Sequence, residues 1–491
     1  MKLQSFFATA VAVLLVLSSC SKENNGIPGE TNDTKALVSV SFTLPTNNNT
    51  RSQTEQNATA EESNVKDVSV YVFNLAGAAV AKNSYTYLQK ADFDAPVGNL
   101  YKLSAGKEIE TVAGGARIYV GINIPASLRQ AYDTEADLLY AVADLDEIKT
   151  DHEFTMISEA KVVSLQSVDD VTVNVVPIEV GRVVSKVVGS WDPSGSFVST
   201  WKAADMVQTN PTASAVDITL TYTPSSYGIY QYAVKTFLAE NQSTLINNLA
   251  GRYNPADVVK PFDYAIGGNT TLYNGHGDEN RTFTDCVYIG ENTPASTMYG
   301  NTTYAYIATK VDVSHYATWN DTNKEVVYQS GPYGNSTNDN VWVIHYDGVD
   351  VLTNSQTNAD EIITGLNAYD GLAPDAPGKK IATYHIYYEG FVHFRVYLNR
   401  NGANDYRVGR NEYIHLRVNG VNANLGAGVF PGNPGEETDP EDKPVDPNEN
   451  GGTEGPDPTD PTDPIDPADA KLSVEITVKP WTYKANNIIL E

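Results

Sequence analysis

A chain of 491 residues can bury a large core, and a soft prior of roughly 150 residues per domain suggests two or three folded units, with two the expected number. Its formal net charge of -28 and pI near 4.5 argue against nucleic acid and against an anionic membrane surface, both of which need Lys and Arg partners that this surface lacks. The same like charge keeps a protein soluble at high local concentration.

Met1 and Lys2 supply a positive start, residues 6–17 form an apolar run of signal-peptide length, and Leu17, Ser18, Ser19 and Cys20 follow at once. The run is too short to span a bilayer. Small residues before a cysteine at this position resemble the lipobox of bacterial lipoproteins, in which the cysteine is acylated, so Cys20 is the expected lipidation site. A plain secretory signal with an incidental cysteine is the alternative. No later stretch approaches the roughly 18 apolar residues of a membrane helix, and the expected anchor is therefore lipid. With Cys20 so used, Cys286 is left without a disulfide partner and reads as a small buried hydrophobe in Asp285-Cys286-Val287-Tyr288-Ile289.

After a polar tether over residues 21–35, Val38, Val40, Phe42 and Leu44 alternate with Ser39, Ser41 and Thr43, the period of a half-buried strand. Pro45 and the polar run through Arg51, Ser52 and Gln53 end it, and residues 57–64 continue as loop. Val68, Val70 and Val72 against Ser69, Tyr71 and Phe73 predict a strand apolar on both faces, and residues 117–124 another, stopped by Pro125. Leu128, Tyr132, Leu138, Leu139, Val142 and Leu145 come near helical spacing and predict one amphipathic helix over 128–148. Strands are expected at 171–176 and 182–188, then a turn and domain boundary at Asp192-Pro193-Ser194-Gly195. In the second half, residues 218–222, 282–289, 303–313, 325–328, 382–388, 391–398 and 413–418 are strand candidates between Gly, Asn and Pro clusters, the pattern of β-sandwiches. Most of the 30 tyrosines fall in these runs, as half-buried sheet residues or, alternatively, a glycan platform.

The composition then changes. Residues 431–469 are dominated by Pro, Asp, Glu, Gly and Thr and cannot build a core. Asp457, Asp460, Asp463 and Asp466 recur at the three-residue period of polyproline II and would line one edge of a hydrated rod, a solvated spacer rather than a calcium site. Beyond it Leu472, Val474, Ile476 and Val478 alternate with Ser473, Glu475, Thr477 and Lys479 before Pro480 and Trp481. A tethered strand with one apolar face must find a sheet, in its own domain or in another subunit by β-augmentation.

Sequence motifs for catalysis are missing. His152, His276, His315, His345, His385, His393 and His415 form no H-E-x-x-H pair, and there is no G-x-S-x-G elbow, phosphate loop or cysteine framed for nucleophilic work. The polar cluster at residues 274–280 reads as a surface loop, and His385 and His393 as sheet residues. A glycosidase carboxylate pair is set by spatial separation and stays open at this level. No cofactor, metal or enzymatic activity is expected.

Taken in order, these segments resemble the fimbrillins of type V pili of Bacteroidota-type bacteria, most closely the shaft subunits of short fimbriae. The likeness rests on Cys20-Ser21-Lys22-Glu23, the strand at 38–44 followed by Arg51, residues 68–73, 119–125 and 180–186, Gly290-Glu291-Asn292-Thr293, residues 408–413, the Pro/Asp spacer and residues 474–481. Gly290 stands where relatives often carry a bulkier residue. The resemblance implies two tandem transthyretin-like β-sandwich domains, a Pro/Asp-rich spacer and a C-terminal donor strand. The division is a signal peptide at 1–19, a propeptide with the first strand at 20–51, domains at 52–192 and 193–430, a spacer at 431–470 and the donor region at 471–491.

It further implies outer-membrane delivery as a lipidated precursor, removal of the strand bearing Val38, Val40, Phe42 and Leu44, and its replacement by a neighbour's Leu472, Val474, Ile476, Val478 and Trp481. Arg51 is the first arginine, the next being Arg117, so an Arg-directed protease has one early target between Arg51 and Ser52, though an ordinary surface arginine is the plain reading. Expected partners are further copies of the chain, anchor and tip subunits, and host or bacterial surface receptors, in support of adhesion and biofilm formation. The rival expectations are a surface glycan-binding lipoprotein, which gives the spacer and last strand no purpose, and a tip or accessory fimbrillin.

Overall fold

A computed structural model of the chain describes residues 34–45, 58, 61–75, 81–150, 153–202, 216–230, 232, 235–239, 270–271, 273–274, 286–293, 302–334, 339–346, 349–369, 372–373, 376–400, 405–421 and 472–480. Its first half contains β1 (Lys35–Thr43), β2 (Asp67–Asn74), β3 (Ala81–Gln89), β4 (Leu100–Lys102), β5 (Ile109–Val112) and β6 (Gly114–Ile122). Next come α1 (Glu135–Leu139), β7 (Val142–Asp144), α2 (Leu145–Ile148), β8 (Lys149–Thr150), β9 (Glu153–Phe154), β10 (Met156–Ser158), β11 (Lys161–Leu165) and β12 (Asn174–Arg182). The second half contributes β13 (Ser185–Ser196), β14 (Val198–Lys202), β15 (Asp217–Tyr230), β16 (Lys235–Phe237), β17 (Thr270–Thr271), β18 (Tyr273–Asn274), β19 (Val287–Ile289) and β20 (Tyr304–Asn320). Then follow β21 (Glu325–Tyr333), β22 (Val341–Tyr346), β23 (Val349–Thr353), α3 (Gln356–Tyr369), β24 (Thr383–Tyr387), β25 (Phe391–Tyr397), β26 (Glu412–Val421) and β27 (Leu472–Pro480).

The protein is all-β. The first sheet runs β3-β2-β6-β10-β12-β1-β4, with β11 on β6 and β5 on β1. Among the described residues the second half contributes three sheets: β18-β13-β26-β27 with β19 on β13, β14-β15-β20-β21 with β17 on β15 and β25 on β20, and the smaller β23-β22-β24. Alternation decides the packing. In β12, Val176, Ile178, Val180 and Arg182 are buried while Val175, Pro177 and Glu179 are exposed. In β2 every position is buried, matching its doubly apolar sequence. One hydrophobic cluster runs from Ala36 to Ile476 through both halves. A second small core, with Trp342, Ile344, Ala359, Ile362 and Leu366, lies under α3 and the sheet β23-β22-β24.

Several expectations need correction. The single helix over 128–148 is two short helices with β7 between them, because β7 pairs with β16 from the other half of the chain, a contact local spacing cannot reveal. The turn at Asp192–Gly195 lies inside β13 as a bulge: the register to β26 shifts between Trp191 and Ser196, and Asp192 Oδ1 accepts from the Ser194 amide at 2.9 Å. The chain passes between sheets earlier, in the two residues that separate β12 from β13, so the strands expected at 171–176 and 182–188 begin instead at Asn174 and Ser185. Residues 61–63 form a helical turn rather than open loop, with Ala58, Glu62 and Ser63 buried. Cys286 is buried, as its apolar surroundings suggest.

Candidate assembly site

The first strand is held from both sides. β1 pairs in parallel with β12, Val38 opposite Asn174 through Thr43 opposite Glu179, and antiparallel with β4 and β5 on its other edge. Backbone bonds extend past its ends, from the Leu44 amide to Asn99 O at 3.1 Å and from the Ala113 amide to Thr34 O at 2.7 Å. Val38, Val40 and Phe42 are 0% exposed and Leu44 3%. Phe42 has the most specific environment: its ring stacks on Tyr101 with centroids 4.9 Å apart and 6° between planes, and meets Phe93 edge-on at 5.3 Å. Each such side chain contributes roughly 1.5–3 kcal/mol by leaving water. A central strand, not an edge strand, carries the residues expected to leave.

The segment after β1 is secured independently. Glu62 is fully buried and its carboxylate meets Lys186 Nζ, also 0% exposed, at 2.8 Å and accepts from the Tyr288 hydroxyl. Arg182 Nε donates to Glu62 O at 3.1 Å, and an Arg182 Nη to Ser63 Oγ at 2.8 Å. Asn64 O accepts from Asn123 Nδ2 at 2.8 Å. Burial lowers the Arg182 guanidinium to about 10, against the opposing pull of Glu62 and Tyr288, so it stays charged at neutral pH. Burial likewise pushes the Tyr288 phenol far up, with Cys286 and Glu62 adding to the effect, and it stays a donor.

These residues come from segments distant in sequence. Residues 180–186, 290–293 and 408–413, singled out in the sequence, converge here. Ser185 Oγ donates to Gly409 O at 2.6 Å and accepts from the Glu412 amide at 3.1 Å. The Arg182 amide donates to Asn411 Oδ1 at 3.2 Å, and Asn292 and Val408 exchange backbone bonds of 2.9 and 2.7 Å. Arg410 pairs with Glu291 at 2.6 Å, both nearly buried, and donates to the carbonyls of Phe237 and Leu238. The joint between the two halves is therefore polar, buried and threaded by hydrogen bonds. Sequence reasoning missed Glu62 and Lys186 as partners; the one local signal was charge placed inside otherwise apolar or strand-like sequence.

The last strand lies on its own chain. β27 pairs antiparallel with β26, Ile476 opposite Leu416 and Glu475 opposite Arg417, and Ile476 is buried. Leu472, Val474 and Val478 occupy the same parity of that strand. Cys20, Arg51, Ser52, Trp481 and the spacer at 431–470 lie outside the described residues, as does most of the loop at 274–280. Among the described residues, no group of three His, Cys, Asp or Glu side chains could hold a metal ion, and no helix is long and apolar enough to cross a membrane.

The described residues thus combine a buried polar joint with a first strand held in the middle of its sheet. Residues 36–222 match the family model described as major fimbrial subunit protein (FimA). The comparison with curated proteins gives no match. Among solved structures, a candidate cell adhesion protein from Parabacteroides distasonis is similar at 12% identity, covering 91% of this chain and 100% of that one, with a TM-score of 0.41. A fimbrilin from Porphyromonas gingivalis matches at 12% identity, covering 91% and 98%, with a TM-score of 0.39. The tip fimbrial protein Mfa3 of the same organism, truncated at its C-terminus, matches at 14% identity, covering 78% and 94%, with a TM-score of 0.31.

Proposed function

We propose that this chain is a structural subunit of a surface fimbrium that is exported as a lipoprotein on Cys20, freed by cleavage between Arg51 and Ser52, and polymerised by donor-strand exchange. The family match over residues 36–222 supports the fimbrial part of this reading. The observation that supports cleavage and strand exchange is the contrast between β1 and the segment after it. β1 fills a central slot of the first sheet, whereas Glu62 and Ser63 are tied to the joint by their own contacts. A cut between them would empty the slot and leave the new N-terminal segment anchored.

The slot would then accept the last strand of a neighbouring copy. Leu472, Val474, Ile476 and Val478 repeat the four-tooth pattern of Val38, Val40, Phe42 and Leu44. In this reading the pairing of β27 with β26 is the resting place of a strand that must detach before it is donated, and its position on a sheet edge makes detachment possible. Filaments built this way would present the chain at the cell surface beside anchor and tip subunits and serve adhesion.

N-terminal sequencing of polymerised subunits tests the reading. It should begin at Ser52, and Arg51→Ala subunits should accumulate as lipidated monomers. Filaments formed from Arg51→Ala chains that retain residues 20–51 would overturn it.

A further inference from the structure

We infer that the vacated β1 slot fixes one register for a second copy's C-terminal strand, with Ile476 in the aromatic pocket of Phe42 and Glu475 opposite Lys102; this rests on the strand-exchange reading above. Only even shifts keep the apolar teeth inward, because a one-residue slip turns them out. The alternatives are therefore few.

With Leu472 at the place of Val38, Val474 takes that of Val40, Ile476 that of Phe42 and Val478 that of Leu44. The residues of the other parity then meet complementary neighbours, although Ser41 itself is buried and Glu475 gains its cation at the exposed end of that position. Glu475 replaces Ser41, whose partner on β4 is Lys102, and Thr477 replaces Thr43, whose partner on β12 is Glu179. Lys479 falls diagonally from Glu179, and the Val478 amide can make the bond that Leu44 makes to Asn99 O. Lys102 and Glu179 are both exposed, ready to face a new strand.

Each other register meets an obstacle. A two-residue shift one way puts Pro480 at Leu44, where an N–H is required, drives Leu472 into the site of fully buried Ala36 and leaves Val478 in the Phe42 pocket. Shifting two residues the other way sets Glu475 against Glu179 and again puts a valine in that pocket. Reversing the strand keeps Glu475 near Lys102 but fills the pocket with Val474, and moving the reversed strand to bring Ile476 there sets Glu475 against Glu179. The favoured register repeats, at Lys102, the opposition of Glu475 to a cation that exists on β26 at Arg417.

Cysteine pairs in the full-length chain, expressed in cells that assemble filaments, decide the register. Val175 lies on the outer face of β12 opposite Ser39 and is 71% exposed. Val175→Cys with Ser473→Cys should give, on oxidation, a ladder of disulfide-linked subunits on a non-reducing gel. A ladder from Lys471→Cys, Glu475→Cys, Thr477→Cys or Lys479→Cys in place of Ser473→Cys would overturn the register, the last two by reversing the strand. Filaments with no ladder from any of the five pairs would overturn strand exchange itself. Lys102→Glu should lower filament yield and Glu475→Lys should restore it in the double variant; failure to restore counts against the register. Ile476→Phe, which fills the part of the Phe42 pocket that isoleucine leaves empty, should slow filament dissociation about tenfold, and faster dissociation would place another residue in that pocket.

Discussion

Glu62 shows how much of the molecule's organisation rests on one carboxylate hidden in unpromising sequence. Its surroundings, Glu61, Ser63 and Asn64, read as solvated loop, and nothing local announces that Lys186 and Tyr288 will close over it. A buried charge is tolerated here because each partner is hydrogen-bonded. Glu62→Gln leaves Lys186 without its carboxylate and should cost about 3–5 kcal/mol of stability in urea unfolding, with much of the loss recovered when Lys186→Met removes the stranded cation. Asp405 offers a pH-dependent counterpart near the same joint. Arg407 holds its carboxyl below 3.8 through a two-pronged contact of 2.7 and 2.7 Å, with Arg400 adding to the effect. A depressed carboxyl contributes stability above its unfolded value that is lost as pH falls through the folded one. The gap in urea midpoint between wild type and Asp405→Asn should therefore be present at neutral pH and close as the pH drops below 3.8.

At the level of elements, period-two alternation made β1, β2, β6, β20 and β25 legible, since each buries one face or both against the cores that sequence alone implies. The alternating teeth of the last strand were equally visible; its resting partner β26 was not, because a sheet edge advertises no preference for its own chain. α3 went unread although Ala359, Ile362, Ile363 and Leu366 have helical spacing, for it interrupts a run of strands and packs on β20 rather than on a helix. Gly365 lets it approach: a Cβ there would lie 2.2 Å from the Trp319 indole, so Gly365→Ala should loosen the small second core and lower the melting temperature. The strand-removal proposal makes a sharper demand of β1. Phe42→Ala should cost the precursor about 3–5 kcal/mol, yet filaments assembled from the cleaved variant should melt like wild type, because residue 42 is no longer present. A variant filament that melts lower would mean that β1 stays in the polymer.

For the whole molecule, the all-β architecture was visible as a count of strands and turns, whereas the joint that links the halves was not, being built from pairs such as Arg182–Asn411 and Ser185–Gly409 that are more than two hundred positions apart. The acidic spacer, in the proposed assembly, supplies reach of about 3.1 Å per residue in extended form. Replacing half of its Asp-Pro repeats with Gly-Ser should leave filaments intact by electron microscopy, whereas a charge at Ile476 should abolish them. The two-residue passage from β12 to β13 has a mechanical consequence. In a filament under tension, a donated strand lying parallel to β12 is pulled from its N-terminal end while β12 is pulled from its C-terminal end. The same geometry recurs in the second half, where β13 is drawn from Ser185 and its parallel neighbour β26 from Val421. Both pairs are thus loaded in shear, so their hydrogen bonds resist together instead of unzipping one by one. Stretching single filaments should accordingly give high rupture forces, and Glu62→Gln, which weakens the turn of the load path between the two sheets, should lower them.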